Sequence, residues 1–163
     1  MKKQIILAII TKLREELAAT LASASAAHEA ATGAESRAEN QYDTRGLEAS
    51  YLAEAQMKRA ADGERQIAMY MAMLDHIPRG GTGVSPLQVS VGSLVELAQG
   101  TRRTHYFIVN GGGGLSLQVE GRTINVITTQ SPMGDALLAH QIGNVVEVEM
   151  QGTTRHFTVV SVS

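Results

Sequence analysis

Between Ile5 and Ile77 apolar and small residues return at alternating intervals of three and four. On a first arm they are Ile10, Leu13, Leu17, Ala24, Ala27, Ala31, Ala34 and Ala38, with Thr20 filling one step. On a second arm they are Ala49, Ala53, Met57, Ala60, Ile67, Met71 and Leu74, with Glu64 filling one step. This is the heptad period of a coiled-coil seam. The polar stretch from Glu39 to Gly46 separates the arms and reads as a turn, so the pattern predicts an antiparallel helical hairpin. The seam changes along its length. It is Leu, Ile and Met near the chain's start and near Leu74, and nearly all Ala toward the turn. Alanine lets two backbones approach closely but buries little area, so the far end is expected to be slim and weakly held. An arm of about 30 residues would project on the order of 45 Å. A plain dimerisation coiled coil would carry the same pattern.

The first helix is expected from near Met1 to near Tyr42, with Gly33 its weak point. The second is expected from the turn to about His76, with Asp43 or Thr44 as N-cap. The segment Pro78 to Pro86 joins a helix-stopping proline to the glycines Gly80, Gly81 and Gly83 and reads as a linker. Composition then shifts from Ala and Glu to Val, Thr and Gly. Strand-like runs follow at Leu94–Ala98, Thr104–Val109, Leu115–Val119, Thr123–Thr128, Val145–Met150 and Arg155–Val162. Val146, Val148 and Met150 alternate with Glu147, Glu149 and Gln151, the signature of a half-buried strand. Between the fourth and fifth runs, Ser131 before Pro132 has the form of an N-cap followed by proline at the first helical position, which predicts a short helix. Gly143-Asn144 then turns the chain. The expected architecture is α+β: a hairpin over 1–77, a linker over 78–86, and a small, mostly antiparallel β domain with one short helix over 87–163.

Composition narrows the function. The 163 residues are 44% hydrophobic and 18% charged, ordinary for a globular chain. A formal net charge of -2 gives no basic footprint for direct nucleic-acid binding. Cysteine is absent, which excludes disulfides and thiolate metal sites and fits a reducing compartment. Lys2-Lys3 before Ile5–Ile10 imitates the start of a signal peptide, but Lys12, Arg14, Glu15 and Glu16 interrupt the apolar run and continue the helical pattern. No stretch approaches the roughly 20 apolar residues of a membrane span. The expected location is cytoplasmic, with no membrane partner.

Few residues offer chemistry. His28, His76, His105, His140 and His156 are scattered, with no metal-ligand spacing. Gly111–Gly114 lacks the Lys-Ser/Thr of a phosphate loop and reads as a flexible connection. Ser131 has a capping role and no evident activating base. The hairpin turn differs, because Glu35, Glu39, Asp43 and Glu48 gather on or near it. Carboxylates at an exposed tip can help hold a hard cation such as Mg²⁺, but two of them bind it weakly without a partner's ligands. A solvated, charge-mixed turn is the competing reading.

The run Val126-Ile127-Thr128-Thr129-Gln130-Ser131-Pro132-Met133-Gly134-Asp135-Ala136-Leu137-Leu138, followed by Gly143-Asn144, closely resembles the C-terminal signature of the bacterial Gre transcript-cleavage factors. Lys12-Leu13-Arg14-Glu15-Glu16-Leu17 is similar to the start of the Gre hairpin, and the distance to Leu74 suits its length. The resemblance spans nearly the whole chain, and Ser-Pro-x-Gly-x-Ala-Leu-Leu is its most specific part. It implies an N-terminal coiled-coil hairpin and a C-terminal FKBP-like domain. It also implies RNA polymerase as partner, with the globular domain at the rim of the secondary channel and the hairpin inserted toward the active centre. In Gre factors two tip acids help hold the polymerase's second Mg²⁺ and orient a water, so that polymerase cleaves its own backtracked RNA.

At the tip this sequence departs from the Gre pattern. In one register Asp43 retains the first acid, Gly46 stands where the second is expected, and Glu48 is displaced by an inserted residue. In another, Glu39-Asn40 is kept and Ser36 replaces the first acid. Either way the acid pair is altered. The resemblance therefore implies a non-enzymatic regulator with weak or no cleavage stimulation. Asp43, Glu48 and Glu39 are its tip acids, and Ser131, Pro132, Met133 and Gly134 belong to its polymerase-docking region. It would have no cofactor of its own beyond Mg²⁺ shared transiently with polymerase, and would meet nucleic acid only through the transcription complex. Two alternatives are a peptidyl-prolyl isomerase, weakened by having only Tyr106, Phe107 and Phe157 as aromatics in the second half, and a coiled-coil assembly module with no polymerase role.

Overall fold

The computed structural model describes residues 1–32, 45–77 and 88–163. Of the turn expected at Glu39–Gly46, positions 39–44 fall outside the described residues, as do Gly33 and the linker positions 78–86, whereas Arg45 and Gly46 already lie in a helix. Two helices, α1 (Lys2–Thr32) and α2 (Arg45–Asp75), precede strands β1 (Leu94–Gln99), β2 (Arg102–Val109), β3 (Ser116–Val119) and β4 (Arg122–Thr128). Helix α3 (Pro132–Leu137) and strands β5 (Val145–Met150) and β6 (Thr153–Val162) follow. α1 runs through Lys12, Arg14, Glu15 and Glu16 without a break. No described helix is long and apolar enough to cross a membrane.

The chain divides into two compact units. One is Ile10–Met71; the other joins Met1–Ile9 to Ala72–Ser163. In the first unit α1 and α2 are antiparallel: Leu13, Leu17 and Thr20 line one groove with Gln66, Gly63 and Arg59. On α1 the predicted seam holds, with Ile10, Leu13, Ala24 and Ala27 buried and Leu17 and Thr20 half-buried. On α2 the predicted seam needs correction. Met57, Glu64 and Met71 are exposed, and the buried or half-buried stripe is Ala49, Ala53, Gln56, Ala60, Gly63, Ile67 and Tyr70. The true spacing is a regular four-three alternation. Hydropathy favoured the methionines, but they lie one position off the facing stripe. Gly63 faces Leu17 across the seam, where a Cβ would make ordinary van der Waals contact 3.6 Å from Leu17 Cδ1. Seam positions Ala34 and Ala38 lie outside the described residues, as does the side chain of Ala31.

In the second unit all six predicted strands form one sheet in the order β3-β4-β2-β1-β6-β5. Four pairings are antiparallel, as expected. The exception is β2 with β4, which run parallel with Phe107 opposite Val126 and Ile108 opposite Ile127. β3 supplies the return: it pairs antiparallel to β4, so the chain re-enters alongside β2 in the same direction. A bulge between Glu96 and Leu97 shifts the β1–β6 register.

Strand alternation gives the sheet two apolar faces. One buries Val95, Leu97, Ile108, Val146, Val148 and Val159, against which Met133 and Leu137 of α3 pack. The other turns Leu94, Phe107, Val109, Ile124 and Val126 inward. Ile5, Ile6 and Ile9, in the first turns of α1, belong to the same unit and are fully buried. Phe107, Ile6 and Met73 line a common cavity of about 290 Å³ with Lys2 and His76, where burial lowers the Lys2 ammonium below its ordinary pKa.

Candidate functional site

The segment from Thr128 to Asn144 is built around backbone groups that one serine gathers. Ser131 has extended backbone angles, as an N-cap should. Its hydroxyl donates to the Thr128 carbonyl at 2.7 Å and accepts from the Gly134 N–H at 3.1 Å. Its carbonyl accepts from the Asp135 N–H at 2.8 Å. Pro132 follows at the first helical turn, where a missing N–H costs nothing. Asp135 places a carboxylate in that turn, favourable to the helix dipole.

Gly134 explains why the helix sits so close to β4. A Cβ there would lie 2.0 Å from the Thr128 carbonyl oxygen, so no other residue fits. Gly113 also packs against Thr128, since its Cβ would fall 2.9 Å from the Thr128 nitrogen. The glycine run thus contains at least one position set by close packing and is more than a flexible connection. Beyond α3, Val89 pairs with the backbone of Ala139 and His140 at 3.0 and 2.8 Å. Asn144 Oδ1 accepts from the Gln141 N–H at 2.7 Å, and Gly143 N–H donates to Val159 at 2.8 Å. The Gly143-Asn144 turn is thereby tied to β6.

These contacts divide the four docking residues predicted from sequence. Met133 and Gly134 are buried, and Ser131 is half-buried and occupied in the cap. Pro132 and its neighbour Asp135 face solvent. Of the predicted tip acids, Asp43 and Glu39 lie outside the described residues. Glu48 is exposed in the first turn of α2. Among the described residues no three His, Asp or Glu side chains gather as a metal-binding group.

Sequence reasoning missed one feature of this domain. On the α3 side of the sheet, beyond the helix, lies an open trough of about 460 Å³. Tyr106 and Phe157 form part of its floor and Arg102 and Arg155 part of its rim. Burial raises the Tyr106 phenol above its ordinary pKa, and the Arg102 guanidinium partly counters this. The signal was present as an alternation, Arg102-Thr104-Tyr106 on one face of β2, but only the assembled sheet brings β6 beside it.

Residues 85–163 match the family model described as transcription elongation factor, GreA/GreB, C-terminal. The domain over residues 85–163 is thus of the GreA/GreB C-terminal type. Among solved structures, the GreA factor homolog Gfh1 of Thermus thermophilus is similar at 23% identity, covering 94% of each chain, with a TM-score of 0.37. Gfh1 of Thermus aquaticus is similar at 23% identity, covering 99% of this chain and 95% of that one, with a TM-score of 0.39. A GreA/GreB factor of Nitrosomonas europaea is similar at 20% identity over 57% of this chain and 75% of its own, with a TM-score of 0.37. No curated protein matches the sequence.

Proposed function

We propose that this protein is a cytoplasmic, Gre-like regulator that binds RNA polymerase at the secondary channel and directs its hairpin toward the active centre. The observation that carries this reading is the Gre-type domain over residues 85–163, with its Ser131-Pro132-Met133-Gly134 signature intact. In this reading Ser131, Met133 and Gly134 shape the docking region from within, and Pro132 and Asp135 present it. The protein holds no metal stably and makes no covalent change of its own. Any catalytic effect acts through Mg²⁺ in the polymerase.

The tip sequence argues for binding without strong cleavage stimulation. Asp43 keeps an acid, Gly46 replaces the second and Glu48 is displaced. Positioned chemistry is sensitive to such displacement, since a misplacement of about 1 Å can cost 10²-fold. The expected phenotype is competition with cleavage-competent Gre factors for the channel.

A pull-down of core polymerase by the full chain tests the binding half. Pro132→Glu keeps an acceptable first helical turn and is expected to weaken binding about tenfold, equivalent to about 1.4 kcal/mol. Unchanged affinity would remove α3 from the interface. Asp43→Ala combined with Glu48→Ala is expected to abolish any effect on catalysis with affinity largely intact. An unchanged effect would show that these acids form a solvated turn.

A further inference from the structure

α3 is six residues long and covers only part of the sheet face on which it lies. Past its end the same face continues as the 460 Å³ trough, to which all six strands contribute. With strands spaced about 4.8 Å apart, a trough crossing six of them is roughly 24 Å long. That is about seven residues of extended chain. The length suits a polypeptide segment; a single nucleotide or small anion would leave most of it empty.

The lining has an apolar part and a cationic part. Tyr106 on β2, Met150 on β5 and Phe157 on β6 supply aromatic and thioether surface, and Asn125 on β4 adds an amide. Arg102 and Arg155 stand on the strands that flank β1. Both are exposed, and among the described residues no carboxylate pairs with either guanidinium. No Asp or Glu lines the trough. Strand alternation sends the nearby acids to the opposite face. There Glu147 lies 3.4 Å from His156, and Glu96 accepts from the Ser161 hydroxyl at 3.4 Å. The trough side thus carries unpaired cations beside apolar surface and no acid, while the strand acids lie on the other face.

We propose that this trough binds an acidic segment of a partner protein in extended form, with apolar side chains seated on Tyr106, Met150 and Phe157 and carboxylates paired to Arg102 and Arg155. The guanidinium fork matches a carboxylate bidentately, which gives register as well as attraction. Both arginines sit at a solvent-exposed rim, so their contribution is salt-dependent and governs specificity more than total affinity. This recognition involves neither the hairpin tip nor the α3 signature, so it stands or falls separately from polymerase binding.

The experiment pans the immobilised full chain against a displayed library of random short peptides, then measures a synthetic winner by fluorescence anisotropy at low and high salt. The expected result is enrichment of peptides that combine Asp or Glu with Leu or an aromatic residue. Their affinity falls with salt and drops at least about tenfold in the Arg102→Gln, Arg155→Gln double variant. Arg103→Gln, on the other face of β2, is expected to leave it unchanged, and melting curves verify that all variants are folded. Enrichment of basic or uncharged peptides would overturn the proposal, as would no enrichment over the double variant. Random single-stranded RNA that binds through the same two arginines, with no peptide enriched, would overturn it in favour of a nucleic-acid surface.

Discussion

The hairpin unit and the sheet unit bury different kinds of residue. Among the described residues between Ile10 and Met71 half of the buried apolar positions are alanines: Ala24, Ala27, Ala53 and Ala60, beside Ile10, Leu13, Ile67 and Tyr70. The sheet unit buries Val, Leu, Ile and Phe on two faces and has α3 locked by a serine cap and a glycine without room for a Cβ. At about 25 cal/mol per Å² an alanine adds little. The hairpin is therefore held by a narrow, alanine-rich seam, and the sheet by hydrophobic area. Near the start of α2 the hairpin also leaves Leu47, Tyr51 and Leu52 exposed. A seam of small residues leaves the helices' outer faces free to carry other sequence.

The sharpest way to probe the sheet side is Gly134→Ala. Its Cβ collides with backbone, which cannot swing aside as a side chain would, so a loss of about 4 kcal/mol is expected in chemical denaturation. On the hairpin side, Leu13→Ala is expected to cost about 3 kcal/mol because Leu13 is buried. Leu17→Ala, at a half-buried position, is expected to cost clearly less. Equal losses at the two positions would break the picture of a graded seam.

Tyr70 sharpens the comparison through pH. It is fully buried in the hairpin, and burial raises its phenol from 10.0 to about 12. A raised folded-state pKa stabilises below the unfolded value and is lost as pH climbs through the folded one. Stability should therefore fall between pH 10.0 and about 12, by about 1.4 kcal/mol per pH unit. Tyr70→Phe is expected to remove that slope, read from denaturation midpoints across the alkaline range. The smallest effect concerns the cap. Ser131→Ala removes the acceptor for Gly134 N–H and is expected to cost about 1 kcal/mol.

What the sequence showed depended on how local the signal was. The six strands were legible because period-two alternation and turn residues are local, and Val145–Met150 was placed to the residue. α3 was legible from Ser131-Pro132 alone, since cap and proline act within one turn. The α2 seam was misread because Met57 and Met71 are more apolar than Gln56 and Gly63. The facing helix selects by position, and it is Gly63 that lies opposite Leu17. The parallel β2–β4 pair could not be read, because it joins strands separated by β3 and rests on tertiary pairing. The trough could not be read for the same reason, with Arg102 and Arg155 far apart in sequence on strands either side of β1.

The central proposal is that a chain with a Gre-type domain and altered tip acids binds RNA polymerase without strong cleavage stimulation. It is tested most directly on a backtracked RNA polymerase complex, by following RNA cleavage with the full chain alone and with the full chain added to a cleavage-competent Gre factor. The account predicts little cleavage in the first case and suppression that rises with concentration in the second. Robust cleavage by this protein alone, or no suppression at saturating concentration, would contradict it.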